Sequence, residues 1–175
     1  MCAQQHRSSP ADDVLQHLPM ATVFALKACG VQPMGGINGQ TRWDELALTS
    51  MASYAVATAV TWSAKQLVSE RRPDDSDCRS FPSGHATYAF AGATMLRHEY
   101  GHLSSWVMVG GYGLAVLVAA DRVRLDRHYV HDVCAGAAVG IAATELTYLL
   151  KRRLVRSKSV DVAFTGDAVA FRYTF

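Results

Sequence analysis

The sequence is short of charge, proline and cysteine. Only 18% of its 175 residues are charged and five are proline, while half are hydrophobic. That balance excludes a disordered chain, in which apolar surface is scarce and net charge high. Glycine and proline recur with no fixed period and no heptad pattern is sustained, which excludes collagen-like, coiled-coil and low-complexity architectures. The four cysteines (Cys2, Cys29, Cys78, Cys134) form no CxxC or Cys/His pattern, which argues against zinc and suggests no disulfide framework. Cys29 and Cys134 fall in apolar stretches and are expected to be small buried thiols. The opening MCAQQHRSSPADD has no apolar core of the signal-peptide kind. A spread basic face is missing as well. Residues 151–158 (KRRLVRSK) hold five positive side chains and no negative one, so the rest of the chain is net negative. One short basic block does not make a nucleic-acid surface.

What the chain does have is a series of apolar segments. Mean hydropathy is +0.06, between the values of soluble and polytopic proteins. Residues 1–12 read as a polar leader, 13–151 as a helical domain, and 152–175 as a basic segment followed by a hairpin. Apolar runs cover residues 14–31, 46–68, 104–120 and 129–150, and 46–68 and 129–150 are long enough to cross a hydrocarbon core. Between them, Pro82 and Ser83 open a helix rich in small residues that stops at Gly101; it is too polar to face lipid and is expected to be buried among the others. Gly136 and Gly140 form a GxxxG, which permits close helix approach either within the bundle or across a homodimer seam. Residues 160–175 alternate in polarity about Gly166-Asp167, the pattern of a short β-hairpin. The expected fold is all-α, a bundle of about five helices embedded in a membrane, with a short C-terminal β-hairpin.

Three clusters lie at helix ends: Lys65 with Arg72-Pro73, Pro82-Ser83-Gly84-His85, and Arg122 with His128 and Asp132. Up-and-down helices bring all of these ends to one face. Lys65, Arg72 and Arg122 can neutralise a phosphoryl group, the arginines through forked donors. Ser83 and Gly84 stand at a helix N-terminus, where backbone N–H groups and the helix dipole favour an anion. His85 and His128 suit acid–base or nucleophilic work near neutral pH. Asp132 is four residues beyond His128, so a helix would let it hold the imidazole Nδ1–H and leave Nε2 as a nucleophile. The remaining histidines (His6, His17, His98, His102, His131) have no such spacing and read as surface residues. Arg71 and Arg79 read as solvated loop charges, and Arg124 and Arg127 as candidates for a polar headgroup.

Together, K-x6-R-P (65–73), P-S-G-H (82–85) and R-x5-H-x3-D (122–132) resemble the type 2 phosphatidic acid phosphatase superfamily, which includes lipid phosphate phosphatases, bacterial acid phosphatases and vanadium haloperoxidases. The likeness covers roughly residues 46–150. It implies a phosphatase without metal or other cofactor, in which His128 attacks phosphorus to form a phosphohistidine. His85 would protonate the leaving oxygen and then activate water, and Asp132 would orient His128. Lys65, Arg72, Ser83, Gly84 and Arg122 would bind the phosphate. Asp121 departs from the family pattern, which has a small serine there. Neighbours on a helix point in different directions, so Asp121 need not pair with Arg122, but its charge bears on the strength of that phosphate contact.

The implied partners are a phosphorylated lipid and a membrane, with no nucleic acid. The basic block leaves from the face opposite the site, and the positive-inside rule then puts the tail in the cytoplasm. The expected location is a bacterial inner membrane with the catalytic face outside the cytoplasm. Two alternatives stand beside this reading: a soluble, nonspecific acid phosphatase of the same superfamily, and a non-enzymatic membrane scaffold.

Overall fold

In the computed structural model, which describes residues 10–36, 39–156, 160–165 and 168–173, the apolar segments form six helices: α1 (Pro10–Leu15), α2 (Leu18–Ala28), α3 (Trp43–Leu67), α4 (Gly84–Tyr100), α5 (Ser105–Arg124) and α6 (Val130–Arg156). Local signals set their bounds. Pro19 stands in the first turn of α2, where its missing N–H costs nothing. Asp44 and Glu45 complement the dipole of α3 in its first turn. Ser104 caps α5, its hydroxyl accepting from the Trp106 N–H at 3.2 Å. The basic stretch expected to leave the bundle at residue 150 continues α6 to Arg156. Strands β1 (Val160–Thr165) and β2 (Ala168–Tyr173) pair antiparallel, Val160 opposite Tyr173.

Helix α4 is the centre of the bundle and packs against α2, α3, α5 and α6. Its small residues Ala86, Ala89, Ala91 and Ala93 have no exposed surface, and around them lie Met20, Val23, Leu46, Met95, Tyr100 and Tyr148. The GxxxG of α6 is used here, inside the chain. A Cβ on Gly136 would stand 2.4 Å from the Ser83 carbonyl oxygen, and one on Gly140 2.2 Å from that of Thr87. By contrast α5 and α6 touch little. Between them runs an apolar groove of about 420 Å³, lined by Phe90, Val116, Ala119, Val123, Val130 and Val133 among others.

Among the described residues, Ser105–Arg124 and Val130–Leu154 are long and apolar enough to cross a membrane. The 46–68 run, expected to be a span on its length, forms α3 but does not reach that apolarity. Its hydroxyls explain why. Thr49, Ser50 and Ser53 each donate to the carbonyl four residues back, at 2.7, 2.7 and 2.8 Å, and are buried against the bundle. The outer faces tell a different story from the inner ones. Met51, Trp62 and Leu67 on α3, Trp106 and Leu117 on α5, and Val130, Leu149 and Leu154 on α6 are all exposed. Cys29 and Cys134, expected to be buried, are exposed too. Apolar neighbours imply burial only where the apolar face points inward, and much of the apolar surface here points out. Cys78 is disulfide-bonded, against the expectation of no disulfide.

The end of the bundle away from the three motifs is closed by Glu99, which has no exposed surface. Its carboxylate accepts from the hydroxyls of Thr41 and Tyr148 and, at 3.1 Å, from the Gly35 N–H. These bonds tie the 30–41 loop to α4 and α6. His98 lies close by, stacked on Tyr148 with ring centroids 4.0 Å apart and paired with Glu145 at 3.1 Å. It is therefore a packed residue, not the surface one expected from its spacing.

The α4–α6 seam leaves no room for side chains. Gly140→Val is expected to destabilise the fold by about 1–3 kcal/mol, the usual cost of overpacking, measured as a lower unfolding midpoint in detergent. Gly110→Val on α5, where a Cβ meets nothing within 4 Å, should leave the midpoint close to that of the parent chain.

Candidate active site

The three sequence clusters meet at one end of the bundle. Lys65 in the last turn of α3, Arg72 in the following loop, Gly84 and His85 at the start of α4, Arg122 near the end of α5, and Arg127 and His128 in the α5–α6 turn line a single cavity of about 190 Å³. Among the described residues, none of the lining groups is a carboxylate. Ser83 and Asp132 have no exposed surface and support the cavity without lining it. All eight residues singled out from the sequence are thus brought to one place.

The acidic groups hold the cations from the sides. Asp77 accepts from Arg72 Nε at 2.8 Å and from the Arg79 N–H at 2.8 Å. Burial acts to raise the Asp77 pKa, but these two hydrogen bonds and the charge of Arg72 outweigh it and hold the carboxyl below its usual range. Asp74 pairs with Arg127 at 3.2 Å. Lys65 Nζ donates to the Arg79 carbonyl at 2.8 Å. Asp121 pairs with Arg122 at 2.7 Å, so the acid at this position does engage the arginine. Their Cβ atoms diverge, but the arginine is long enough to fold its guanidinium back onto the neighbouring carboxylate, which also receives Arg124 at 3.0 Å. Arg71 pairs with Asp75 on the exposed loop.

His128 is buried, and its Nδ1 lies 3.5 Å from Asp132 Oδ2 and 3.4 Å from Ser80 Oγ. Ser80 is itself fully buried and donates a short hydrogen bond to the same Asp132 oxygen. That oxygen also accepts from the Tyr129 N–H at 2.9 Å, so Asp132 caps its own helix. Burial lowers the His128 pKa well below its ordinary value, and the positive charges of Arg72 and Lys65 add to the shift. The ring is therefore neutral at physiological pH. With Nδ1 turned to the Ser80–Asp132 pair, Nε2 is the nitrogen that can present a lone pair.

The start of α4 differs from expectation in one respect. The Ser83 N–H is taken by the Asp132 carbonyl at 3.0 Å, while the buried Ser83 hydroxyl has no hydrogen-bond partner among the described residues. His85 is in reach of α1: its Nε2 lies 3.2 Å from Asp13 Oδ1. Beside the cavity, His131 Nε2 stands 2.7 Å from Glu70 Oε1 and 3.1 Å from Asp132 Oδ1. This is the one grouping of metal-ligand type among the described residues, and within it the imidazole is hydrogen-bonded to Glu70. Sequence spacing did not reveal Ser80, Asp13 or the lining role of Arg127. Ser80 stands only two residues before Pro82, but a serine in a charged loop carries no signal of burial.

The model of the PAP2 superfamily matches residues 46–156, and so gives no support to the hairpin beyond them. Over 146 residues the chain is 32% identical to the lipid A 1-phosphatase of Porphyromonas gingivalis, covering 83% of this chain and 32% of that protein. It is 36% identical over 90 residues to an Arabidopsis thaliana protein named "Probable lipid phosphate phosphatase beta", covering 38% of this chain and 42% of the plant protein. The chain therefore spans well under half the length of both. Among solved structures it resembles a transmembrane PAP2-type phosphatidylglycerolphosphate phosphatase from Bacillus subtilis. The TM-score is 0.56 at 26% identity, covering 87% of this chain and 82% of that one.

The arrangement makes Ser80 a test of how His128 is held. Losing a hydrogen bond to a charged group costs about 1.5–3 kcal/mol, so Ser80→Ala should lower kcat of phosphate release by about tenfold or more. KM should change little, because Ser80 does not line the cavity. An unchanged kcat would remove Ser80 from the support of His128.

Proposed function

The chain belongs to the PAP2 superfamily, and on that basis we propose that it is a membrane phosphatase releasing phosphate from lipid phosphate monoesters or pyrophosphates. The observation that carries this reading is the cavity in which Lys65, Arg72, Arg122, His85 and His128 converge around the N-terminus of α4. Its cations match the charge spread over the equatorial oxygens of a phosphoryl group in flight, where most of the acceleration arises.

In the first step Nε2 of neutral His128 forms a bond to phosphorus as the bond to the leaving oxygen breaks. His85 gives that oxygen its proton. In the second, His85 takes a proton from water, the water oxygen bonds to phosphorus, and the phosphohistidine bond breaks to restore His128. Asp132 and Ser80 keep the imidazole in one orientation throughout. Gly84, Lys65, Arg72 and Arg122 hold the phosphate, and the unpartnered Ser83 hydroxyl is a further donor close by. This sequence needs no metal, since the charge is met by four cationic side chains.

A lipid substrate is favoured by two features. The outward faces of α3, α5 and α6 carry large apolar side chains, which water would not tolerate as a continuous surface. The apolar groove between α5 and α6 includes Val123 and Val130, which flank Arg122 and His128 in sequence, so a hydrocarbon tail can lie next to a headgroup in the cavity. Two features also favour a catalytic face outside the cytoplasm of a bacterial inner membrane. Lys151, Arg152 and Arg153 lie at the opposite end of α6, as cytoplasmic residues do. The disulfide of Cys78, in the loop that carries Arg72, belongs in an oxidising compartment.

His128→Ala and His85→Ala are each expected to lower phosphate release by about a thousandfold or more. Quenching the parent chain with a substrate labelled at phosphorus should trap an acid-labile, alkali-stable phosphoprotein that His128→Ala cannot form. A label that persists in His128→Ala would end the assignment of the nucleophile. For topology, Arg71→Cys and Arg152→Cys are compared in a background with Cys29 and Cys134 replaced by serine. An impermeant maleimide should label the first in intact spheroplasts and the second only after lysis. The reverse pattern would invert the orientation.

A further inference from the structure

The contact between His85 and α1 is not used by the steps above. His85 lines the cavity, yet its Nε2 lies 3.2 Å from Asp13 Oδ1, and Asp13 is not among the lining residues. His85 thus meets a carboxylate from α1 at Nε2 while its side chain lines the cavity. Asp13 also lies outside residues 46–156, so the contact is a property of this chain's N-terminal helix and not of the matched region.

A carboxylate at this place has a chemical use. The groups facing His85 from the surrounding elements are Lys65 of α3, Arg72 of the following loop, Arg122 of α5, and Arg127 and His128 of the α5–α6 turn. Four of the five carry positive charge, which opposes a proton on a neighbouring imidazole. Asp13 brings an acidic side chain against His85, Oδ1 to Nε2 at 3.2 Å. We propose that Asp13 is the positioning residue of the general acid: its carboxylate receives Nε2–H of His85 and leaves Nδ1–H to protonate the leaving oxygen. The inference rests on the phosphatase reading above. In the first step the proton moves from Nδ1 to the leaving oxygen as its bond to phosphorus breaks. In the second, Nδ1 takes a proton from the attacking water. Asp13 stays a carboxylate and transfers nothing.

The discriminating measurement is leaving-group dependence. An alkoxide must be protonated as it leaves, whereas 4-nitrophenolate can depart without help. The ratio of kcat on dodecyl phosphate to kcat on 4-nitrophenyl phosphate isolates the acid. In Asp13→Asn this ratio should fall by about tenfold, a part of the hundredfold or more that general acids contribute, and Asp13→Glu should recover most of it. A ratio equal to the parent's in Asp13→Asn overturns the proposal, whether total activity falls or not, because a purely structural role slows both substrates together. Failure of the underlying reading looks different. A parent chain that releases no phosphate, or a His85→Ala variant whose ratio matches the parent's, removes the general acid itself and the inference with it.

Discussion

Asp132 is a carboxylate with no contact with water, and the architecture around the cavity follows from supplying its hydrogen bonds. One side-chain oxygen takes the Ser80 hydroxyl and the Tyr129 N–H; the other faces His131; its backbone carbonyl takes the N–H of Ser83. A buried charge left without such partners would cost several kcal/mol. Supplying them draws together the end of the α3–α4 loop, the first residue before α4, and the start of α6. His128 lies in this cluster with its Nδ1 turned to the same oxygen. The helix cap and the support of the His128 ring are thus one structure, and a change that frees one end of α6 also releases the imidazole.

The two ends of the bundle are built on opposite electrostatic plans. At the cavity, cations face inward and their acids stand beside them, so that positive charge is already arranged around the open space. At the far end the buried group is an anion, Glu99, and it is fully engaged by hydroxyls and a backbone N–H. One end is left wanting a ligand and the other is closed. The polar groups that the helices must carry are sorted by position, which leaves the outer surface between the two ends free to be apolar.

The convergence of the three motifs on one cavity was legible because each motif is local. Lys65 to Arg72, Pro82 to His85 and Arg122 to Asp132 lie within one helix end or one short turn, and the alternation of helices brings those ends together. What was not legible depends on which way side chains turn. Ser80 and Asp13 gain their places from packing between segments far apart in sequence. The Asp121–Arg122 pair arises because a long arginine can fold back over one residue, which helix geometry at Cβ does not show. Cys29, Cys134 and His98 were misplaced for a common reason. In a bundle with apolar surface outside and polar groups inside, the usual link between hydrophobic surroundings and burial no longer holds. The same inversion explains α3, whose hydroxyl-rich face packs inward while Met51 and Trp62 look out.

The glycine seam between α4 and α6 has a mechanical consequence. With backbone against backbone at Gly136 and Gly140, and the Ser83 N–H bonded across the top, the two helices cannot slide or tilt independently. His85 rides on one and His128 stands at the head of the other, so the separation of the two imidazoles is set by this seam. Arg122 arrives on α5, which leans on α4 but barely touches α6, and Arg72 arrives on a loop. The two imidazoles thus belong to the locked pair of helices, while Arg72 and Arg122 reach the cavity from the elements beside it.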